Sequence, residues 1–329
     1  MLISVIIPNY NHAAFLPQRL ESVMNQTFDD FEVIILDDCS TDHSREILDT
    51  YKSHSKISHV VYNEKNSGST FKQWNKGVQL AQGEWIWIAE SDDKAELNFL
   101  EVLAKEIRAN DRVGIAYTQS LKMNSKDEVT GSWLEWTEDL NPNLFKTDFV
   151  MKGIDYTEQF LIHKNTIPNA SALLFKKEIF VEVGGADETI RNCSDWELWL
   201  KFLLVSDVLY VSQPLNYFRY HEQSVIAKAL KSRPKDVYAE RFDKSMRLKF
   251  QDFLLKHFNS IPFKKIARLN KGYIMQESIY EALFDLVNRK FTSAGVKLKR
   301  VLRQNSFLLV TFMGIKIVAK ESLARGFKK

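Results

Sequence analysis

Two pairs of adjacent carboxylates each stand behind a largely apolar run: Asp37-Asp38 follows Phe31 to Leu36, and Asp92-Asp93 follows Trp85 to Ala89 after Glu90 and Ser91. Two anions side by side repel each other and cost desolvation energy unless a cation or a set of donors lies between them. A divalent metal meets that need, and Mg²⁺ or Mn²⁺ would complete its shell with waters and substrate phosphates. The competing reading makes Asp92 or Asp93 a cap on the helix formed by Ala95, Leu97, Phe99, Leu100, Leu103 and Ile107. Ser40, Thr41 and Asp42 are also good caps, which leaves Asp37 and Asp38 without a role. A further carboxylate, Asp195, lies in Asn192-Cys-Ser-Asp-Trp-Glu-Leu-Trp-Leu200. Ser194 and Glu197 have the spacing of a capping box, and Trp196, Trp199, Leu200 and Leu203 form an apolar helical face. The box does not use Asp195, which is left at the first helical position, where the helix dipole helps to keep it ionised.

The scaffold that must present these groups is legible in the alternation of patterns. Ile3 to Ile7, Phe31 to Leu36, Ser58 to Tyr62 and Trp85 to Ala89 read as strands, and the last has the unbroken apolar run of a strand covered on both faces. Helical spacing fills the intervals: Phe15, Leu16, Leu20 and Val23, then Ile47, Leu48 and Tyr51, then Phe71, Trp74, Val78 and Leu80. Pro17 is tolerable only in a first turn. Such alternation predicts an α/β fold with a mostly parallel sheet and right-handed crossovers, and ligands bind outside the carboxyl ends of such strands. No Gly-x-Gly-x-x-Gly and no Gly-x-x-x-x-Gly-Lys is present, so neither a dinucleotide fold nor a P-loop is supported. Farther on, Val113 to Leu121, Asn169 to Phe175 and Leu209 to Val211 read as strands. Asn124 to Met151 reads as a loop in which Trp133, Trp136 and Phe145 pin the chain to the core.

Ser4-Val-Ile-Ile-Pro8-Asn-Tyr10-Asn11, Asp37-Asp38-Cys-Ser-Thr-Asp42, Asn66-Ser-Gly68 and Glu90-Ser-Asp92-Asp93 occur in an order and spacing that resembles the inverting family 2 glycosyltransferases. The resemblance covers about the first 220 residues and implies a GT-A fold, a Rossmann-like, mostly parallel central sheet flanked by helices. By resemblance, Pro8 and Tyr10 pack on the nucleotide base, Asp38 accepts the imide hydrogen bond of uracil, Asp92 lies against the ribose and Asp93 binds the metal on the diphosphate. Asn66 belongs to the donor loop. Lys72, where many members have an arginine, would serve the diphosphate as a point charge. Asn169 and Ser171 would line the acceptor pocket, and Asp195 would be the general base. Leu215 to His221 resembles the closing segment, with His221 on the metal or diphosphate. Cys39 stands where many members have glycine. The implied activity is transfer of a sugar from a nucleotide-diphosphate donor, with UDP the expected nucleotide, to a glycan or glycolipid hydroxyl in cell-surface polysaccharide synthesis. The rival readings are a non-catalytic nucleotide- or membrane-binding protein and a sugar nucleotidyltransferase.

With 329 residues, 45% of them hydrophobic, the chain can bury a large core and has room for a second unit. Residues 1–224 are expected to form the catalytic domain and 225–329 a basic, mainly helical extension, with helices over Tyr238 to Phe258 and Ile261 to Asn288. The net charge of +3 conceals a division. Residues 1–225 carry 21 Lys and Arg against 34 Asp and Glu, whereas residues 226–329 carry 24 against 8. A basic tail on an acidic body points to an anionic surface. No base-stacking module accompanies the basic residues, so membrane phospholipid is favoured over nucleic acid, with residues 304–329 as the contact. Two cysteines without metal-ligand spacing, no leader and no long apolar run point to the cytoplasm, at the inner face of the membrane if peripheral.

Overall fold

The computed structural model describes residues 2–190, 193–221, 224, 243–304, 310 and 314, and the chain divides into two compact units, Met1–His221 and Glu222–Lys329. In the first unit, strands β1 (Ile3–Asn9), β2 (Phe31–Asp37), β3 (Ile57–Tyr62) and β4 (Trp85–Ile88) alternate with helices α1 (Leu16–Met24), α2 (Ser44–Tyr51) and α3 (Thr70–Leu80). All of β1, β2 and β4 is buried, Ser4 and Glu32 included, as strands between helical layers are. The paths β3-β2-β1-β4 are parallel, so all four strands deliver their carboxyl ends to one edge. Pro17 falls in the first turn of α1, and Leu16, Leu20 and Val23 form its buried stripe. Helix α3 rides close on β1, since a Cβ at Gly77 would come within 2.5 Å of the Ile6 side chain.

The sheet continues through β9 (Leu173–Lys176), β6 (Val113–Asn124) and β10 (Asp207–Tyr220) to the short β5 (Lys94–Ala95). Strand β9 is antiparallel to both β4 and β6, whereas β10 is parallel to β6. Two antiparallel reversals restore the direction, so β6 and β10 end at the same edge as β4. The strand expected at Asn169 begins later, because Ala170–Ala172 forms a 3-10 turn. The strand expected at Leu209–Val211 is instead the long β10, which runs through the closing segment to Tyr220. The stretch from Asn124 to Met151 is not a plain loop. It holds β7 (Val129–Ser132), paired with β6, and β8 (Phe149–Met151), paired with β10, with a 3-10 turn at Trp133–Trp136. Trp133 stacks on Tyr220 and meets Phe218 edge-on, so it does pin this segment to β10.

Helices α4 (Phe99–Arg108), α5 (Gly153–Tyr156), α6 (Lys177–Glu182) and α7 (Ser194–Phe202) complete this unit. In the second unit α8 (Lys244–His257), α9 (Ile261–Val287) and α10 (Phe291–Gln304) are helical, and Met275, Ile279, Tyr280, Val301 and Val310 form a small core. The helix expected from Tyr238 is described only from Lys244, and most of residues 304–329 lie outside the described residues. Among the described residues no helix is long and apolar enough to cross a membrane.

Candidate active site

Three strand ends converge on one metal-capable group. His12 follows β1, Asp92 follows β4, and His221 follows β10. One ligand atom from each lies within 4.8 Å of the others. His221 Nε2 is 2.9 Å from Asp92 Oδ2, and His12 Nδ1 is 2.8 Å from the Ser91 hydroxyl. Burial would raise the pKa of Asp92, but its hydrogen bond with His221 and the proximity of His12 outweigh that and hold the carboxyl below its ordinary value. Two imidazoles and a carboxylate are a donor set that fits Mn²⁺ or a similar divalent ion, with room for water and phosphate in the remaining positions.

Asp93, expected to carry the metal, turns inward instead. It is 2% exposed, its Oδ1 accepts the Arg219 backbone N–H at 2.9 Å, and it hydrogen-bonds the Ser171 hydroxyl. Burial, then the adjacent Asp92 charge, pushes its carboxyl upward, with Arg19 pulling the other way. Arg19 is wholly buried over the Trp87 ring, and its Nε donates to the Glu90 carbonyl at 2.8 Å while Nη1 and Nη2 have no partner. Its charge counters the acidic cluster above it. Burial lowers this guanidinium to about 10. Glu90 accepts from Trp74 Nε1 at 2.7 Å, and burial followed by Asp92 pushes it to about 8, so at neutral pH it holds its proton. Ser171, expected in the acceptor pocket, has no exposed surface: it ties Glu90 and Asp93 to the segment before β9. Asn169 is buried too, its Oδ1 accepting the Ser171 N–H at 3.0 Å.

On the β1–β2 side, Pro8 is buried within β1, and Tyr10, just beyond it, is 42% exposed. Asp38 is 5% exposed, and its carboxylate accepts from Asn63 Nδ2 at 2.7 Å, Gln73 Nε2 at 3.0 Å, and both the amide and the hydroxyl of Ser67. These donors fill both oxygens, so an imide N–H would have to displace one of them. Asp38 thereby organises the loop in which Asn66 is exposed and Gly68 takes φ +74°. Lys72 is exposed on the first turn of α3, with Nζ 3.2 Å from the Ser67 carbonyl. Cys39 has φ +64°, the left-handed conformation that glycine adopts without strain, so the side chain is carried there at a cost.

Asp195 sits in the first turn of α7, partly exposed, and Asn165 Nδ2 reaches its Oδ2 at 3.3 Å. Burial pushes its carboxyl up to about 6, against hydrogen bonds from the backbone and Asn165. The capping box does not form. Ser194 Oγ donates to the Asp187 carbonyl at 2.9 Å, and Glu197 is instead 2.9 Å from Lys201 one turn on. Left-handed Cys193, at φ +64°, starts the helix.

The sequence profile described as Glycosyl transferase family 2 matches residues 4–173, more than half of the chain. The chain belongs to glycosyl transferase family 2. Over 100 residues it is 42% identical to the putative teichuronic acid biosynthesis glycosyltransferase TuaG of Bacillus subtilis, a stretch that covers 30% of this chain and 39% of TuaG. Its fold is that of S. aureus TarS 1-349, solved in complex with UDP-GlcNAc, at a TM-score of 0.62 and 18% identity over 98% of this chain and 80% of that one. The mannosyltransferase PcManGT from Pyrobaculum calidifontis, solved with GDP-Man and Mn2+, is similar at a TM-score of 0.56 and 14% identity, over 96% of this chain and 79% of its own. The fold is GT-A, and the protein is a glycosyltransferase. In this glycosyltransferase the residues that sequence reasoning missed are His12, Glu90 and Arg19. His12 read only as the start of a helical stretch, and for Arg19 an arginine inside the apolar stripe of α1 was the available signal.

Proposed function

We propose that this glycosyltransferase transfers a sugar with inversion from a nucleotide diphosphate, UDP first among the candidates, to a hydroxyl of a glycan or glycolipid acceptor. The observation that carries the reading is Asp195, a carboxylate partly open to solvent, steadied by Asn165 and raised to about 6, where it is ionised at neutral pH yet basic enough to take a proton. It removes the acceptor proton as that oxygen attacks the anomeric carbon from the face opposite the diphosphate. The bond to the diphosphate oxygen breaks, and its electron pair leaves with the nucleotide. Such assistance is worth about 10² to 10⁴ in rate. Asp92, His221 and His12 would hold a divalent metal, in place of the Asp93 expected from sequence. When bound, that ion neutralises charge on the leaving diphosphate.

Tyr10 packs on the base beside Pro8, Asp38 serves the base through the loop that it anchors, and Asn66 and Lys72 face the donor. The complexes of TarS with UDP-GlcNAc and of PcManGT with GDP-Man and Mn2+ support a nucleotide-sugar donor and a divalent ion. TuaG supports a polysaccharide context. We assign residues 1–224 to catalysis and 225–329 to a basic unit that contacts anionic lipid. Calorimetry with UDP, GDP and dTDP, with and without Mn²⁺, tests the core of the reading. UDP binding that strengthens with Mn²⁺ supports it, and binding of no nucleotide overturns it.

A further inference from the structure

In the second unit α8 and α9 pack as a hairpin along a buried stripe. Met246, Phe250 and Leu254 of α8 and Ile266 of α9 are fully buried. Asn270 Nδ2 ties the two helices together, donating to the Arg247 carbonyl and to Gln251 Oε1 at 2.9 Å each. The turn between them runs from Phe258 to Ser260, and aromatic contacts stiffen it. The Phe258 ring is 4.4 Å from that of Phe263 and 6.0 Å from that of Phe253, which lies 4.7 Å from the His257 ring.

The side chains on either side of this turn are not needed by that core. Leu255, in the last turn of α8, is 70% exposed, and Ile261, which opens α9, is 84% exposed. Among the described residues these are the two most exposed large apolar side chains, and both belong to one tip. The charge around them is of one sign. Residues 253–276 hold Lys256, Lys264, Lys265, Arg268 and Lys271 and no Asp or Glu, and the nearest acids along the chain are Asp252 and Glu277. Lys256, Lys264 and Arg268, all within two helical turns of the tip, are exposed.

An apolar tip set among cations has a definite complement. A second copy of the same tip would bring like charges together. A bilayer with anionic head groups instead offers hydrocarbon to the apolar side chains and phosphate to the basic ones. The long stems of lysine and arginine let the charge stay at head-group level while the tip goes deeper.

We propose that the α8–α9 turn inserts Leu255 and Ile261 into the interface of an anionic membrane, with Lys256, Lys264 and Arg268 at the phosphates. This rests on the reading of residues 225–329 as a lipid-contacting unit, and it adds an apolar contact to the basic residues after 304. One weak anchor holds a protein only marginally and stable attachment takes two, so loss of either contact should release the chain. Sedimentation of the full chain with vesicles of phosphatidylcholine and phosphatidylglycerol tests this, beside the double variant Leu255→Ser with Ile261→Ser and the chain lacking residues 304–329. Withdrawing one aliphatic side chain from water is worth about tenfold in affinity, so the double variant should bind about 10- to 100-fold more weakly. Its thermal unfolding and UDP binding should match the parent, because neither side chain is buried. Insertion has its own readout. All seven tryptophans precede residue 200, so the emission added by Ile261→Trp reports on the tip, and lipids brominated on the acyl chain should quench it. A fall of less than about tenfold, or added emission that bromine leaves unquenched, overturns the proposal; if the deletion alone then releases the chain, the lipid reading stands without the tip. A parent that binds no vesicle overturns both. Analytical ultracentrifugation that finds a dimer in the parent and a monomer in the double variant makes the tip a self-contact and also overturns the proposal.

Discussion

Replacing Asp195 with Asn should raise stability and abolish turnover at once, a pairing that a merely structural carboxylate would not give. The raised carboxyl, about 6 against an ordinary 3.8, means that the folded chain favours the protonated form. The sign follows from linkage. No penalty exists below the ordinary value, it grows as pH rises through about 6, and above that the ionised group destabilises the fold in full. At about 1.4 kcal/mol per pH unit, the shift corresponds to about 3 kcal/mol, and partial exposure of Asp195 to water reduces the working figure to about 1–2 kcal/mol. The neutral amide removes that cost. Thermal unfolding at about pH 8 should therefore show Asp195→Asn melting about 2–8 °C higher than the parent, with the two converging below about pH 4. Sugar transfer measured on the same samples should fall by about 10² to 10⁴, with nucleotide binding retained. In the parent, transfer should lose about tenfold per pH unit below about 6. Near-normal turnover of the variant, or a lower melting point at the higher pH, would refute the argument.

Mn²⁺ affinity, followed by calorimetry in the presence of UDP, should drop about 10- to 100-fold or more in Asp92→Asn and His221→Ala. Asp93→Asn, whose Oδ1 can still accept the inward Arg219 N–H, should instead leave Mn²⁺ affinity near that of the parent; equal metal loss in all three would restore Asp93 as a ligand. Tyr10→Ala should weaken UDP by about 1–3 kcal/mol if the exposed ring stacks on the base, and unchanged affinity would remove it from the site. Asp38→Ala strands the donors from Asn63, Ser67 and Gln73 and should destabilise the fold by about 2–4 kcal/mol in denaturant melts. Deleting residues 304–329, which hold Lys316, Lys320, Arg325, Lys328 and Lys329 against Glu321, should abolish sedimentation with anionic vesicles; equal sedimentation would refute a lipid contact there.

What the sequence determined by itself was the scaffold and its chemical edge. The largely apolar runs at Ile3, Phe31 and Trp85 read as strands buried in a parallel sheet, and each ends in polar residues that the sheet carries to the same side. The family motifs are local in sequence for the same reason: a strand and its turn are built from neighbours. Which carboxylate joins the metal-capable group was not local. Asp92 and Asp93 are adjacent and chemically identical, and the choice between them depends on His221, 129 positions away, and on Arg219 taking Asp93 inward. The third donor, His12, comes from the end of β1. The capping box failed likewise, because Asp187 and Lys201 offered Ser194 and Glu197 better partners than the helix terminus did. Hydrophobic period and turn chemistry are fixed by near neighbours, whereas the partner of a buried charge is decided by whichever group the fold brings within hydrogen-bond reach.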